Sequence, residues 1–368
     1  MSDITYTVAD AVKALDEVFP LSTQDGWDNS GLLVGDASDT LKGVLLAVDL
    51  TEEVVGEAAE LGCNLVVAHH PIMFRGLKRL TGATAEQRAV IKAIKLGISL
   101  AAFHTPADKS VEGTSGSVAR LLGLSGLSVL AAEDGALCKI VTYVPPASSQ
   151  AVADAMSAAG AGHVGNYSHC SWAGSGTGQY QAQPGAHPFA GSIGKLHFEA
   201  EDRVEAICTR RLARKVREAI VAEHPYEEPA IDVLPLLNSD PTVGYGVVGE
   251  LESDLPVADF LEAVKTRLGC QSIRYAGRRH TVRRVAICTG SGAEFIPAAG
   301  AAGADAYITA DVKYHQMADA AQDVMIVDIG HYESEKITKC VFKGILTRKL
   351  ANFARYELSR EANPIKYY

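Results

Sequence analysis

The chain has 368 residues, more than one ordinary hydrophobic core holds, so two or more domains are expected. Hydrophobic residues make up 47% and charged residues 21%, a globular balance. The formal net charge is -10 with no run of consecutive basic residues, which argues against nucleic acid or an anionic membrane as the main partner.

The N-terminus "MSDITYTVADAVKAL" lacks the pattern of a signal peptide, and no run reaches the roughly 18 apolar residues that a membrane helix needs. A cytoplasmic protein is expected. Seven cysteines, an odd number with no Cys-x-x-Cys pair, fit a reducing compartment and free thiols packed in cores.

In chain order, "TVADAVKALDEVF" has helical spacing, with Thr7 as its N-cap. "GVLLAVDL" is a buried strand. "TEEVVGEAAELG" is a helix opened by Thr51 and closed at Gly62. "CNLVVAHHP" is a strand ending on His69 and His70, "TAEQRAVIKAIKLG" a helix, and "ISLAAFHTPAD" a strand ending in polar residues. This alternation implies a mostly parallel sheet.

The pattern changes near residue 134. "LCKIVTYVP" is a strand and "SSQAVADAMSAAGAG" a helix, whereas the Gly-, Ser- and Pro-rich stretch 165–194 is expected to be loop and hairpin. "KLHFEAEDRVEAICT" (strand), "RLARKVREAIVAEHP" (helix) and "PAIDVLPL" (strand) complete a β-α-β-β-α-β order, which suggests a ferredoxin-like domain. After about residue 243 the alternation resumes through "RRVAICTGSG", "ADAYITAD" and "VMIVDIGHYESE". The expected fold class is therefore α/β. A discontinuous domain, 1–131 with 243–368, is interrupted by an α+β insert at 134–240.

Three apolar strands deliver the chemistry-bearing residues: His69-His70, then His104 and Asp108, then His331 and Glu335. Ligands of open α/β sheets sit at the carboxyl ends of strands, so these groups can converge. Imidazoles mixed with carboxylates suit Zn, Mn, Fe or Co better than Ca or Mg. His331 and Glu335 are four apart and share a face if a helix begins there. Neighbours on a strand point to opposite sides, so His69 and His70 either take one ion each of a pair or lie where the backbone turns. His104 is placed as a residue that orients a ligand.

"GWDNSGLLVG" (26–35), "AHHPIMF" (68–74), "HTPAD" (104–108), "ADAYITADVKYHQMADA" (304–320) and "DIGHYESE" (328–335) together resemble the NIF-three-like family, whose members are often labelled GTP cyclohydrolase 1 type 2 homologs. The resemblance implies an α/β/α domain and two divalent metal ions (Zn, Fe or Mn) held by His69, His70, Asp108, His331 and Glu335. One departure is "HTPAD", where many relatives carry "HTNLD"; the ligand spacing is kept. The middle segments "GAGHVGNYSHCSW", "RVEAI" and "EHPYEEPAIDV" resemble the insertion of the family's longer members, similar to CutA and PII-like folds that form trimers. A ring-shaped homohexamer, built as a dimer of trimers or a trimer of dimers, is the implied assembly.

The leading expectation is a metal-dependent hydrolase of a small, nucleotide-like substrate; nothing in these residues shows guanine recognition. The alternative is a non-enzymatic metal-handling or effector-sensing scaffold. Around this centre, His315 is either a proton shuttle or a capping or packing residue, Asp311 an N-cap or a support, and Trp27 a wall for a planar ring or part of a structural turn. "TGSG" (289–292) is either an anion-binding turn or a tight turn, "GSGTGQ" (174–179) a flexible hairpin, and "HPYEE" (224–228) either a third metal cluster or a helix stop.

Overall fold

The computed structural model describes residues 5–320 and 322–368. In chain order its strands are β1 (Gly31–Val34), β2 (Val44–Ala47), β3 (Leu65–Ala68), β4 (Ser99–Ala102), β5 (Ser125–Glu133), β6 (Leu137–Val144), β7 (Ser171–Gln181) and β8 (Leu196–Thr209). They continue as β9 (Ile231–Pro235), β10 (Asp240–Pro256), β11 (Arg274–Ala276), β12 (Thr281–Ile287), β13 (Ala306–Thr309), β14 (Met325–Asp328) and β15 (Tyr356–Leu358). The chain divides into two compact units: residues up to Ala132 together with Pro241–Tyr368, and Glu133–Asp240.

The first unit holds two sheets. One has the order β1-β4-β3-β2-β15, with β4, β3, β2 and β15 parallel. Its inner strands β2 and β3 are apolar at every position, and all three inner strands are buried throughout, because both faces are covered. Alternation then divides each strand between two cores. Val44 and Leu46 pack with the helices Val8–Asp16 and Thr338–Lys349; Leu45 and Ala47 pack with Glu52–Glu60 and Ala85–Leu96. The second sheet has the order β11-β14-β13-β12-β10-β5, with β12, β13 and β14 parallel. Ile287, Ile308 and Val327 face one core of this sheet, and Ala286, Tyr307 and Ile326 the other.

The two halves exchange their ends. The helix Thr338–Lys349 and β15 follow the second sheet in sequence but complete the first. The helix Thr114–Leu122 and β5 precede the insert but join the second. Neither sheet closes without chain from the other side of the insert.

Helix boundaries follow the capping chemistry. Thr7 and Asp10 form a reciprocal capping box, and Thr51 and Thr84 accept hydrogen bonds from the third residue beyond them. Gly97 ends its helix in the left-handed conformation, φ +63°.

The second unit runs β6, helix Ser149–Ala158, β7, β8, helix Ala213–Glu223, β9. Its sheet order is β7-β8-β6-β9, with antiparallel pairs throughout. Within the stretch read as loop and hairpin, residues 171–181 form an 11-residue strand despite its glycines, the first arm of an antiparallel hairpin with β8. The long β8 supplies a full ladder, from Ser171↔Ala206 to Gln181↔Leu196. Pairing along that whole length overrides the low strand propensity of Gly.

All seven cysteines are free. Five are buried, among them Cys138 and Cys208, which face each other across β6 and β8 with their sulfurs 3.4 Å apart. No described helix is long and apolar enough to cross a membrane.

Candidate metal centre

The carboxyl ends of β2, β3, β4, β13 and β14 meet in the first unit. β3 stops at Ala68, so His69 and His70 lie beyond the strand. The backbone turns there, and both rings face one centre, 4.9 Å apart. β4 is followed by His104 and the short helical turn Thr105–Asp108. After β14, Gly330 at φ +87° opens the helix His331–Glu335, which puts His331 and Glu335 on one face.

The donor atoms converge on Glu335. Its Oε1 lies 3.6 Å from His69 Nε2, and its Oε2 lies 3.0 Å from both His70 Nε2 and His331 Nε2. Asp108 Oδ1 is 3.5 Å from His69 Nε2. The sets His69–Asp108–Glu335, His70–His331–Glu335 and His69–His70–His104 each bring their donors within 4.8 Å of one another and can hold a metal ion.

Two observations test whether these residues suit a cation. First, every imidazole is anchored at Nδ1: His69 to the Phe103 carbonyl (3.1 Å), His70 to Asp49 (2.8 Å), His104 to Asp28 (3.0 Å) and His331 to Asp311 (2.7 Å). Such partners fix the ring and leave Nε2 as the ligand atom. Second, His69 Nε2 and Glu335 Oε2 are buried without a hydrogen-bond partner among the described residues. Orphaned polar atoms are costly to bury, and a bound cation removes that cost for both. The donor set fits.

The electrostatics agree. Burial lowers the basicity of His69, but Asp108 and Glu335 outweigh it and hold the ring above its ordinary pKa. Burial likewise opposes the charge on His70, yet Asp49 and Glu335 push it up to about 10. Glu335 beside His331 is the main cause that raises it to about 9. Burial favours a neutral Glu335, but the three imidazoles hold it well below the usual carboxylate range. A cluster that attracts protons this strongly is one in which divalent ions displace them.

The Duf34/NIF3 (NGG1p interacting factor 3) family model matches residues 6–364. The chain belongs to the Duf34/NIF3 family. It is 39% identical over 341 residues to the GTP cyclohydrolase 1 type 2 homolog of Halalkalibacterium halodurans, covering 92% of this chain and 91% of that one. The Mycobacterium tuberculosis protein of the same name is 38% identical, covering 90% and 89%. Among solved structures, a Bacillus cereus protein related to NIF3 superposes with a TM-score of 0.81 at 34% identity, covering 99% of both chains.

In this NIF3-family chain, all five metal-ligand candidates from the sequence come together, and His104 faces the same centre. His315 does not. It is exposed on the helix Tyr314–Ala320, with its ring against Tyr314, because Met317 is the residue that this helix turns into the core. Sequence reasoning missed Asp49 and left Asp311 and Asp28 without assigned partners. Asp49 sits just after an apolar strand, the same position that marks the histidines, so its place was the available signal.

"TGSG" is a tight turn. The N–H groups of Thr289, Gly290 and Gly292 already bond to Ser115, Ser334 and Thr309, so they are not directed at an anion. "HPYEE" is a helix stop: His224 spends one ring nitrogen on the Tyr143 carbonyl and the other on the Tyr226 N–H.

A cleft of about 470 Å³ lies over the donors. Trp27 and Phe74 form one wall, with ring centroids 6.1 Å apart. The stacked pair Tyr245 and Phe295, 5.1 Å apart, also lines it.

Proposed function

We propose that the chain is a dinuclear metal-dependent hydrolase of a small molecule carrying a planar ring. The observation that carries this reading is the position of Glu335, whose two oxygens face two different donor sets, His69 with Asp108 and His70 with His331. One carboxylate shared by two sets is the arrangement that holds a pair of ions. Zn, Fe and Mn all suit these donors.

Two ions held by His69, Asp108, His70, His331 and Glu335 would supply Lewis acidity and activate water at neutral pH. The protein's own groups do the rest. Asp49, Asp311 and Asp28 hold the imidazoles in one orientation. Trp27 and Phe74, both themselves exposed, offer aromatic faces to a ring at the cleft wall. The cleft favours a substrate over metal storage, since a storage site needs no walled space above the ions. In the same reading, the insert is CutA/PII-like and the chain assembles as a homohexamer, which sedimentation at six chain masses tests.

Elemental analysis of protein purified without chelator, followed by a panel of phosphoesters, nucleotides and cyclic amides, tests the reading. Two ions per chain with turnover of a ring-bearing member are expected. Two ions with no turnover of any compound favour the metal-handling scaffold; no ions overturn both.

A further inference from the structure

The second unit carries a cleft of about 870 Å³, larger than the one over the metal donors. Two motifs that the metal centre leaves unexplained, "GSGTGQ" and "HPYEE", both line it. On β7 the residues Gly174, Gly176 and Gly178 alternate with Ser175 and Thr177, so all three glycines lie on one face of the sheet. They pair with Arg203, Glu201 and Glu199 of β8.

The three glycines are not equivalent. A Cβ at Gly174 would lie 2.3 Å from the Trp172 indole, which covers that position. A Cβ at Gly178 would lie 2.0 Å from the Glu201 carboxylate, which covers that one. At Gly176 the nearest atom is a backbone oxygen at 4.0 Å, so the position between indole and carboxylate is open. Glycine inside a strand marks a place where another group approaches the backbone closely.

The surrounding groups define what fits. Tyr226 donates to Glu201 Oε1 at 2.8 Å and packs against Tyr180 and Phe189 at 6.1 and 5.8 Å. Glu227 accepts the backbone N–H of His187 at 2.7 Å and so ties down the segment that brings in Phe189. The lining cation Arg203 shares Glu205 with Lys139, both at 2.6 Å, and keeps its Nε without a partner, while Glu201 makes no ion pair among the described residues. Aromatic faces beside an unneutralised carboxylate attract a cation and repel an anion.

We infer that this cleft is a binding site for a small planar organic cation, its ring over Gly176 against Trp172 and its charge at Glu201. The site lies wholly in the second unit and does not depend on the metal centre.

The chain has two tryptophans, Trp27 and Trp172, so full-length Trp27→Phe leaves Trp172 as the sole indole reporter. Titration with 9-aminoacridine, a planar cation, is expected to quench Trp172 saturably at one probe per chain, with equilibrium dialysis as the check. Acridone, neutral with the same ring outline, is expected to bind at least ten-fold more weakly. Gly176→Val, which fills the floor, and Glu201→Gln, which removes the charge, should each weaken the cation at least ten-fold without changing the sedimentation coefficient. Glu201→Gln keeps the test open if Gly176→Val does not fold. Non-saturable quenching, equal affinity for both probes, or unchanged binding in the folded variants overturns the inference. A shift in sedimentation with Gly176→Val also overturns it, because the face is then covered by a second copy of the chain.

Discussion

Gly290 lies against Glu335 so closely that a Cβ at position 290 would sit 2.3 Å from Glu335 Oε1. The turn "TGSG" thus forms a backbone wall behind the carboxylate that faces both donor sets. Gly290 is also at φ +68°, where a side chain is strained by about 1 kcal/mol or more. Gly290→Ala is therefore expected to displace Glu335 and weaken metal binding by more than ten-fold, while unfolding of the metal-free protein shifts by only a few degrees. Chelator competition and thermal melts measure the two effects separately. Unchanged metal affinity would show that Glu335 has room to keep its place.

The donor sets make the ligand substitutions unequal. Glu335 belongs to both the His69–Asp108 and the His70–His331 groups, whereas His331 and Asp108 each belong to one. Glu335→Ala should empty both positions. His331→Ala should empty one, and Asp108→Ala the other. Asp49→Ala and Asp311→Ala, which remove only the Nδ1 anchors, are expected to lower affinity about 10- to 100-fold without abolishing it. Metal stoichiometry for each variant, by elemental analysis, decides the matter; equal losses in Glu335→Ala and His331→Ala would contradict the shared carboxylate.

The raised histidines give the metal-free protein a definite pH profile. His70 titrates near 10 and His331 near 9 in the folded chain, against about 6.5 unfolded. A group whose pKa rises on folding adds stability that is complete below the unfolded value and is lost as pH climbs through the folded one. The metal-free melting temperature should therefore fall between pH 7 and 10. Glu335 acts oppositely: its depressed pKa adds stability above about pH 4.5 that is lost in acid. Both rings must shed protons to bind metal, so log K should rise by about two per pH unit near neutrality. Calorimetry in buffers of different ionisation enthalpy counts those protons. A melting temperature that stays flat to pH 10 would mean that these rings are neutral in the metal-free fold.

Much of this candidate centre was legible in the sequence because its donor residues follow mostly apolar strands, whose ends are easy to place. His69, His70, Asp108, His331 and Glu335 were found that way. The anchors were harder, because a single Asp after a strand, such as Asp49, has no local pattern that says which ring it will meet. The sequence left two roles open for His315 for the same reason: proximity to a strand end does not reveal which face of the following helix is buried, and Met317 took that face. The length of β7 within the expected hairpin was not legible, because propensity reads glycine as loop, whereas pairing along the length of β8 is a non-local property. The exchange of chain ends between the two sheets left no local signal either, since Tyr356↔Val44 pairing joins residues far apart in sequence.

Asp28 binds two loops of the site into one piece, and its replacement separates shape from charge. Its carboxylate accepts from the Asn29 N–H, the Ser30 hydroxyl, and the Thr105 N–H and hydroxyl, and holds His104 at Nδ1. Burial alone would raise its pKa, but the hydrogen bonds from His104 and Thr105 outweigh it and hold the carboxyl well below the usual range. A depressed pKa means stability present above about pH 4 that is lost only as pH falls through the lower folded value. Asp28→Asn keeps the size but turns one acceptor into a donor facing donors. It should destabilise the fold by about 1–3 kcal/mol and free the His104 ring. Urea unfolding at pH 7 and pH 3 checks this: the deficit relative to the wild type is expected to be large at pH 7 and smaller at pH 3, where the unfolded carboxyl is already protonated while the folded one stays ionised. Equal stability at pH 7 would show that the "GWDNSG" and "HTPAD" segments are held together by packing and not by this carboxylate.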